Sequence, residues 1–245
     1  MTVDDPGAAH GDRIADLSGS AVRYGERLAR LPEPALWIRL YDFGRRPVTA
    51  RLRRRFPDVG AVAAFAEASC GPILHRDWRE LPGTPHWRRW AAAGSSGRVA
   101  AKLYVSVAPD ALPGAVGVVA GLAQASSITA FKVGADVAGL CRPDRLVVYV
   151  AAAEDLPPLG ALLRSRLAGC PADGVPFSAS ITPDGLLSWA VDPPSGESWR
   201  QWVTARLARH LRACVREGRP GPARAALDRL GLEGVDTVRW TPVAP

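Results

Sequence analysis

The 245-residue sequence predicts an α+β fold: a mixed, largely antiparallel sheet flanked by helices, with a long helix near the C-terminus. Three observations carry this. Short apolar or alternating runs bounded by Gly, Pro or Asp recur from residue 99 onward, as strands do. Helical stretches interrupt them in the order strand–helix–strand–strand–helix–strand–strand–helix, without the regular alternation of a parallel α/β sheet. Finally, 195–218 carries the strongest amphipathic stripe in the chain.

Taken in order, Arg13 to Leu31 reads as a helix with Ile14, Leu17, Val22 and Leu28 as its apolar members, stopped by Pro-Glu-Pro. Leu36, Ile38 and Leu40 alternate within ALWIRLYDF (35–43), a strand pattern. RRPVTARLRRRF (45–56) is its expected hairpin partner through Val48, Ala50 and Leu52. Residues 59–69 read as a short helix and 71–81 as a further strand. PGTPHWRRWAAAGSSG (82–97) is rich in turn formers and reads as a linker or long loop. It divides the chain into an N-terminal α+β region, 1–97, and a core with C-terminal helices, 98–245.

Within that core, 99–107 is a strand with Lys102, Tyr104 and Ser106 on one face and Leu103, Val105 and Val107 on the other. Residues 109–126 form an apolar, glycine-weakened helix, and 128–133 and 145–151 are strands. Residues 155–169 form a helix with proline near its start, where proline is tolerated. Short strands at 175–181 and 185–191 are joined by the turn signal Thr-Pro-Asp-Gly. In 195–218, Trp199, Val203, Leu207, Leu211 and Cys214 form a core stripe, with Gly218 as the stop. A last helix, 221–232, precedes an extended tail. Trp189, Trp199, Trp202 and Trp240 read as packing residues, His210 as a surface residue and Asp192 as a turn cap.

Hydrophobic residues make up 47% of the chain, which excludes a disordered protein. The start, MTVDDPGAAHGDR, has no basic segment leading into an apolar run, so no secretory signal is expected. The longest apolar region, Leu103 to Ala125, is broken by Pro109, Asp110 and Pro113, so no membrane partner is expected and the protein reads as cytoplasmic. Cys70, Cys141, Cys170 and Cys214 form no CxxC pair, and His10, His75, His86 and His210 lack ligand spacing, so no metal site is expected. GAVGVVAG (114–121) lacks the glycine spacing of a dinucleotide fingerprint, and no cofactor is expected. A net charge of +7 favours anionic partners.

Only two of the 31 basic Lys+Arg residues are lysine, Lys102 and Lys132. Lys132 lies mid-strand between Phe131 and Val133, and alternation puts it on the opposite face beside the small Ala130 and Gly134. A lysine kept partly dry near other cations loses its proton more easily and can act as a general base; arginine cannot. The competing reading is chance survival of two lysine codons. Lys102 and Tyr104 share a strand face, while Arg142 and Arg145 precede a strand that contains Tyr149. Arginine forks suit a phosphate, so this set fits proton abstraction with an anionic leaving group.

KLYVSV (102–107), FKVG (131–134) and RPDRLVVYV (142–150), followed by VPFSASITPDGLLSWAVDPP (175–194) and ESWRQW (197–202), resemble the core of the phosphothreonine-lyase-related proteins. These include OspF/SpvC-type effector lyases, the lyase domains of class III and IV lanthipeptide synthetases, and the HopA-type effectors, which 100–211 resembles best. HopA-like proteins also occur as lyase partners of kinases in class V lanthipeptide and thioamitide pathways. The resemblance covers a little under half of the chain. It implies β-elimination of phosphate from phosphoserine or phosphothreonine to leave a dehydroamino acid. Lys132 matches the base. Lys102 matches the first lysine of the family's K-x-H strand, whose acidic histidine is Tyr104 here. The helix start SWRQWVT lacks the family's histidine and arginine, for which Arg200 and Arg206 are the available substitutes. With Arg142 and Arg145, Arg206 completes the implied phosphate-binding set. The implied partners are a phosphorylated precursor peptide of ribosomal natural-product biosynthesis and a separate kinase.

The N-terminal third adds Arg45, Arg46, Arg51, Arg53, Arg54 and Arg55 in one span, and HWRRW sets Arg88 and Arg89 between Trp87 and Trp90. Three readings stand: a groove for an acidic leader peptide or kinase partner, a nucleic-acid surface with tryptophan stacking, or a solvated arginine face. No nucleic-acid-binding motif matches. A catalytically silent binding subunit for the kinase or peptide is the alternative to the lyase, and nucleic-acid binding the second alternative.

Overall fold

The computed structural model describes residues 12–95, 97–123 and 127–243. The acidic start with His10, and 124–126 at the end of the expected apolar helix, lie outside them. The chain is α+β, built on one seven-stranded sheet with helices on both faces.

The N-terminal part is helical: α1 (Arg13–Arg27), α2 (Glu33–Tyr41), α3 (Ala50–Arg55), α4 (Val59–Glu67) and α5 (Gly71–Asp77). The strand expected at 35–43 is therefore α2. Leu36 and Leu40 are fully buried one turn apart, whereas Ile38 between them is 51% exposed. A period of two contains every i,i+4 pair, and Pro34 in the first turn favours the helix. Its expected hairpin partner holds α3, where the Thr49 side chain accepts from Leu52 N at 3.3 Å as an N-cap. Residues 71–81 divide into α5 and the first residues of β1 (Trp78–Thr84).

The stretch expected as a linker contains β2 (Trp87–Ala92), which pairs with β1 on one side and with β4 (Ile128–Gly134) on the other. One sheet thus draws strands from both sides of residue 97. The expected strands and helices of the core follow: β3 (Ala101–Val105), α6 (Leu112–Ala120), β4, a short α7 (Val137–Leu140), β5 (Leu146–Val150), α8 (Leu156–Arg166), β6 (Ala179–Ser180), β7 (Leu187–Ala190), α9 (Trp199–Arg216) and α10 (Pro222–Leu232). The tail forms a two-residue pairing of β8 (Val235–Asp236) with β9 (Thr241–Pro242). Sheet order is β1-β2-β4-β5-β3-β7-β6, and every neighbouring pair is antiparallel.

Each sheet face has its own core. Phe131, Val133, Leu146, Val148, Leu103 and Val105 pack against α4, α6 and α8. On the other face Tyr104, Val147 and Ala190 pack with Leu36 and Leu40 of α2 and with Trp199, Val203, Leu207 and Leu211 of α9. Helix α9 opens on a Ser198/Gln201 capping box. It closes as expected at Gly218 (φ 65°), whose N–H bonds Val215 O while Arg219 N bonds Cys214 O.

Gly134 ends β4 directly against α7. A Cβ there would lie 2.5 Å from Gly139 C and 2.7 Å from its carbonyl oxygen, both backbone atoms with little freedom to yield. Overpacking of this kind costs about 1–3 kcal/mol or more. Gly134→Ala is therefore expected to lower the melting temperature by roughly 5 °C in a thermal melt followed by circular dichroism.

Candidate functional site

Register places the polar residues of the sheet on one face. Arg89 of β2 lies opposite Lys132 of β4, which lies opposite Val147 of β5, itself opposite Tyr104 of β3 and then Ser188 of β7. The next row runs Ala91, Ala130, Tyr149, Lys102 and Ala190. Directly opposed antiparallel residues share a face, so Arg89, Lys132, Tyr149, Lys102 and Tyr104 point to one side. Alanines in the second row leave space between them.

Lys132 is partly buried and forms no ion pair among the described residues. Its Nζ stands 4.1 Å from the Trp87 ring centroid and 6.0 Å from that of Tyr149. Lys102 Nζ stands 5.6 Å from the same Tyr149 ring, so the two amines flank one phenol. Burial lowers the Lys132 pKa to about 8; Asp144 and Asp192 oppose that shift, and Lys102 and Arg142 add to it. Lys102 is buried and paired to Asp192, which also accepts from Trp199 N at 3.0 Å at the start of α9. Asp192 thus caps a helix start and anchors a lysine at once. Burial pushes the Tyr149 phenol up to about 12 and holds Tyr104 well above the ordinary tyrosine value, despite the opposing Arg200. Both are neutral at physiological pH and present hydroxyl donors.

Arg142 joins this group. Its Nε and Nη2 bond both oxygens of Asp144 at 2.8 and 3.0 Å, and Nη2 also donates to the Tyr41 hydroxyl at 2.8 Å. The guanidinium lies 5.0 Å from the Tyr41 ring and 5.2 Å from the Trp87 ring, which leaves Nη1 for a ligand. Although burial opposes the charge, Asp144 holds Arg142 above the ordinary arginine range. Arg200, from the first turn of α9, is 1% exposed and gives Asp144 its second arginine at 2.8 Å. Its other nitrogens bond Pro176 O and Tyr41 O. Arg200 therefore ties α2, α9 and the turn before β5 together.

Two of the expected phosphate ligands sit elsewhere. Arg145 is fully buried and spends its three nitrogens on Leu140 O, Val107 O and Asp173. Arg206 stacks 3.8 Å above Trp202 and pairs with Glu233 at 2.8 Å, near the end of α10. In their place the structure brings up Arg89, which sequence reasoning placed in a linker. It is partly buried, makes no ion pair among the described residues and is the cation that most lowers Tyr149. Its signal was the alternation Trp87-Arg89-Ala91, opposite in phase to Arg88 and Trp90. The cluster sets Arg89, Lys132, Lys102, Arg142 and Arg200 against Asp144 and Asp192, so an anion is favoured there. Among the described residues no group of three or more His, Cys, Asp or Glu is placed to hold a metal ion, and no helix is long and apolar enough to cross a membrane.

The architecture is an α+β fold also found in solved structures. It is similar to the solved effector protein from Pseudomonas syringae pv. syringae strain 61, with a TM-score of 0.60 at 15% identity over 97% of this chain and 100% of the other. The effector from Pseudomonas syringae pv. tomato strain DC3000 follows at 0.52 and 15%, over 94% and 98%. The phosphothreonine lyase SpvC, the effector protein from Salmonella, superposes at 0.41 and 15%, over 89% and 98%, too loosely to bear on the site. No protein-family model and no curated protein matches the chain.

Proposed function

We propose that this chain is a phosphoserine/phosphothreonine lyase acting on a phosphorylated precursor peptide in ribosomal natural-product biosynthesis. The observation that carries the reading is Lys132: a partly buried amine lowered to about 8, in no ion pair among the described residues and set among cations that attract phosphate. Neutral Lys132 Nζ takes the α-proton of the phosphorylated residue. The electron pair forms the Cα–Cβ double bond, the Cβ–O bond breaks and phosphate leaves with its bonding pair. Arg89 and the free Nη1 of Arg142 hold the phosphate oxygens. C–O cleavage of a dianionic ester would expel a trianion, so a donor must supply a proton; Lys102 and the Tyr104 phenol, on β3 across β5 from Lys132, are the candidate donors.

Incubation with a phosphothreonine or phosphoserine peptide is expected to yield a product lighter by one phosphoric acid in mass spectrometry. The rate should climb with pH and level off above about 8, because the protonated amine cannot accept a proton. A rate that falls across that limb contradicts Lys132 as the base. A second reading, a catalytically silent binding subunit, is favoured by the Lys102–Asp192 pair and the raised Tyr104, both of which blunt proton donation. Peptide retained at unchanged mass selects it.

A further inference from the structure

Next to the segment that carries Arg142 lies a second feature, a cavity of about 370 Å³ lined by residues of α3 and α4, by 108–110 and by Leu140 and Cys141 at the end of α7. Its floor is apolar, formed by Leu52, Phe56, Phe65 and Leu140, and its rim carries Arg51 and Arg55 one helical turn apart on α3. Arg55 lies 4.9 and 4.8 Å from the Phe56 and Phe65 rings and pairs with Asp110 at 2.7 Å. That consumes the acidic residue of the lining. Arg51, Arg53 and Arg54 are exposed and make no ion pair among the described residues. Among the described residues none of these three charges has an acidic partner.

The cavity connects to the candidate site through the chain itself. Leu140 and Cys141 line the cavity, Arg46 N bonds Cys141 O at 2.9 Å, and the next residue, Arg142, approaches the same Trp87 ring as Lys132. We infer that this groove docks an acidic segment of the substrate polypeptide, seated by one apolar side chain on the Phe56/Phe65 floor with a carboxylate on Arg51 at the rim, its further carboxylates reaching Arg53 and Arg54 on the outer side of α3. The inference rests on the lyase reading for the word substrate. Charge complementarity and the aromatic floor select the occupant: three unused guanidiniums call for several negative charges, and the apolar pocket for an aliphatic or aromatic anchor, which a bare polyanion lacks.

The test uses the full chain and a fluorescein-labelled, unphosphorylated peptide of alternating Asp and Glu around one Leu, read by anisotropy. Wild type is expected to bind it. The Arg51→Glu/Arg53→Glu/Arg54→Glu variant should bind at least tenfold more weakly, and replacing the Leu by Ser should weaken binding to wild type. Salt should weaken it further. In elimination assays the variant should raise KM only for phosphopeptides that carry the acidic segment and leave kcat unchanged. Equal affinity of wild type and variant overturns the proposal, as does displacement of the peptide by duplex DNA at lower concentration. Because the probe carries no phosphate, failure of the groove shows separately from failure of elimination.

Discussion

Lys132→Met should abolish elimination and at the same time raise the melting temperature at pH 7. The ordinary lysine value of 10.5 applies to the unfolded chain, whereas burial brings the folded value to about 8. Between these values the folded chain sheds a proton that the unfolded chain keeps. Protonated Lys132 therefore opposes folding below about pH 8, and the penalty fades as pH rises through that range. Methionine fills the same slot over Trp87 without a charge. The gain is cut by partial exposure and by loss of the 4.1 Å cation–π contact, leaving about 1–2 kcal/mol, or roughly 2–6 °C in a chain of this size. The advantage should shrink as pH rises from about 8 and vanish only above the unfolded value of 10.5. Lys132→Arg keeps the charge and cannot act as a base, so it should lose activity with no gain in stability. A Lys132→Met protein that still releases phosphate removes the amine from the chemistry. One that melts lower than wild type at pH 7 shows that the ammonium is not a burden on the fold.

What the sequence revealed and what it hid follow from the range of the interactions. The face shared by Lys102 and Tyr104, and the position of Lys132 between Ala130 and Gly134, depend only on strand alternation, and both were legible. Helix α9 was legible because its apolar stripe and glycine stop agree. Pairing is different: nothing local to HWRRW says that Arg89 lies opposite Lys132, or that Trp87 covers it. Arg142 and Arg145 look alike in the sequence, three residues apart. One sits between Tyr41 and Trp87 and the other is sealed against Val107, Leu140 and Asp173, a difference that arises only when α7 turns back against Gly134. Asp144 had no local signal as a hub, because its second arginine arrives from α9, 56 residues later.

That hub carries the other large effect. Asp144 is 5% exposed and binds Arg142 and Arg200 through contacts of 2.8 to 3.0 Å. Burial alone would raise its pKa, but the two guanidiniums hold it far below the ordinary carboxylate value. Its contribution to stability is thus present above about pH 4 and is lost only as the pH falls toward that depressed folded value. Asp144→Asn keeps the shape and removes the charge, stranding two buried arginines. Breaking a buried pair in this way costs about 3–5 kcal/mol, a fall of roughly 10 °C in the melting temperature at pH 7. Arg200→Met added to Asp144→Asn should cost less than the sum of the two single changes, since each leaves the other's partner unpaired. The same carboxylate raises Lys132, against the lowering by burial. In Asp144→Asn protein assayed below its melting range, the rising limb of the pH–rate profile should therefore move below about 8. An unmoved limb would mean that the titrating base is not the amine beside Asp144, and strict additivity with Arg200→Met would mean that the two arginines do not depend on one shared carboxylate.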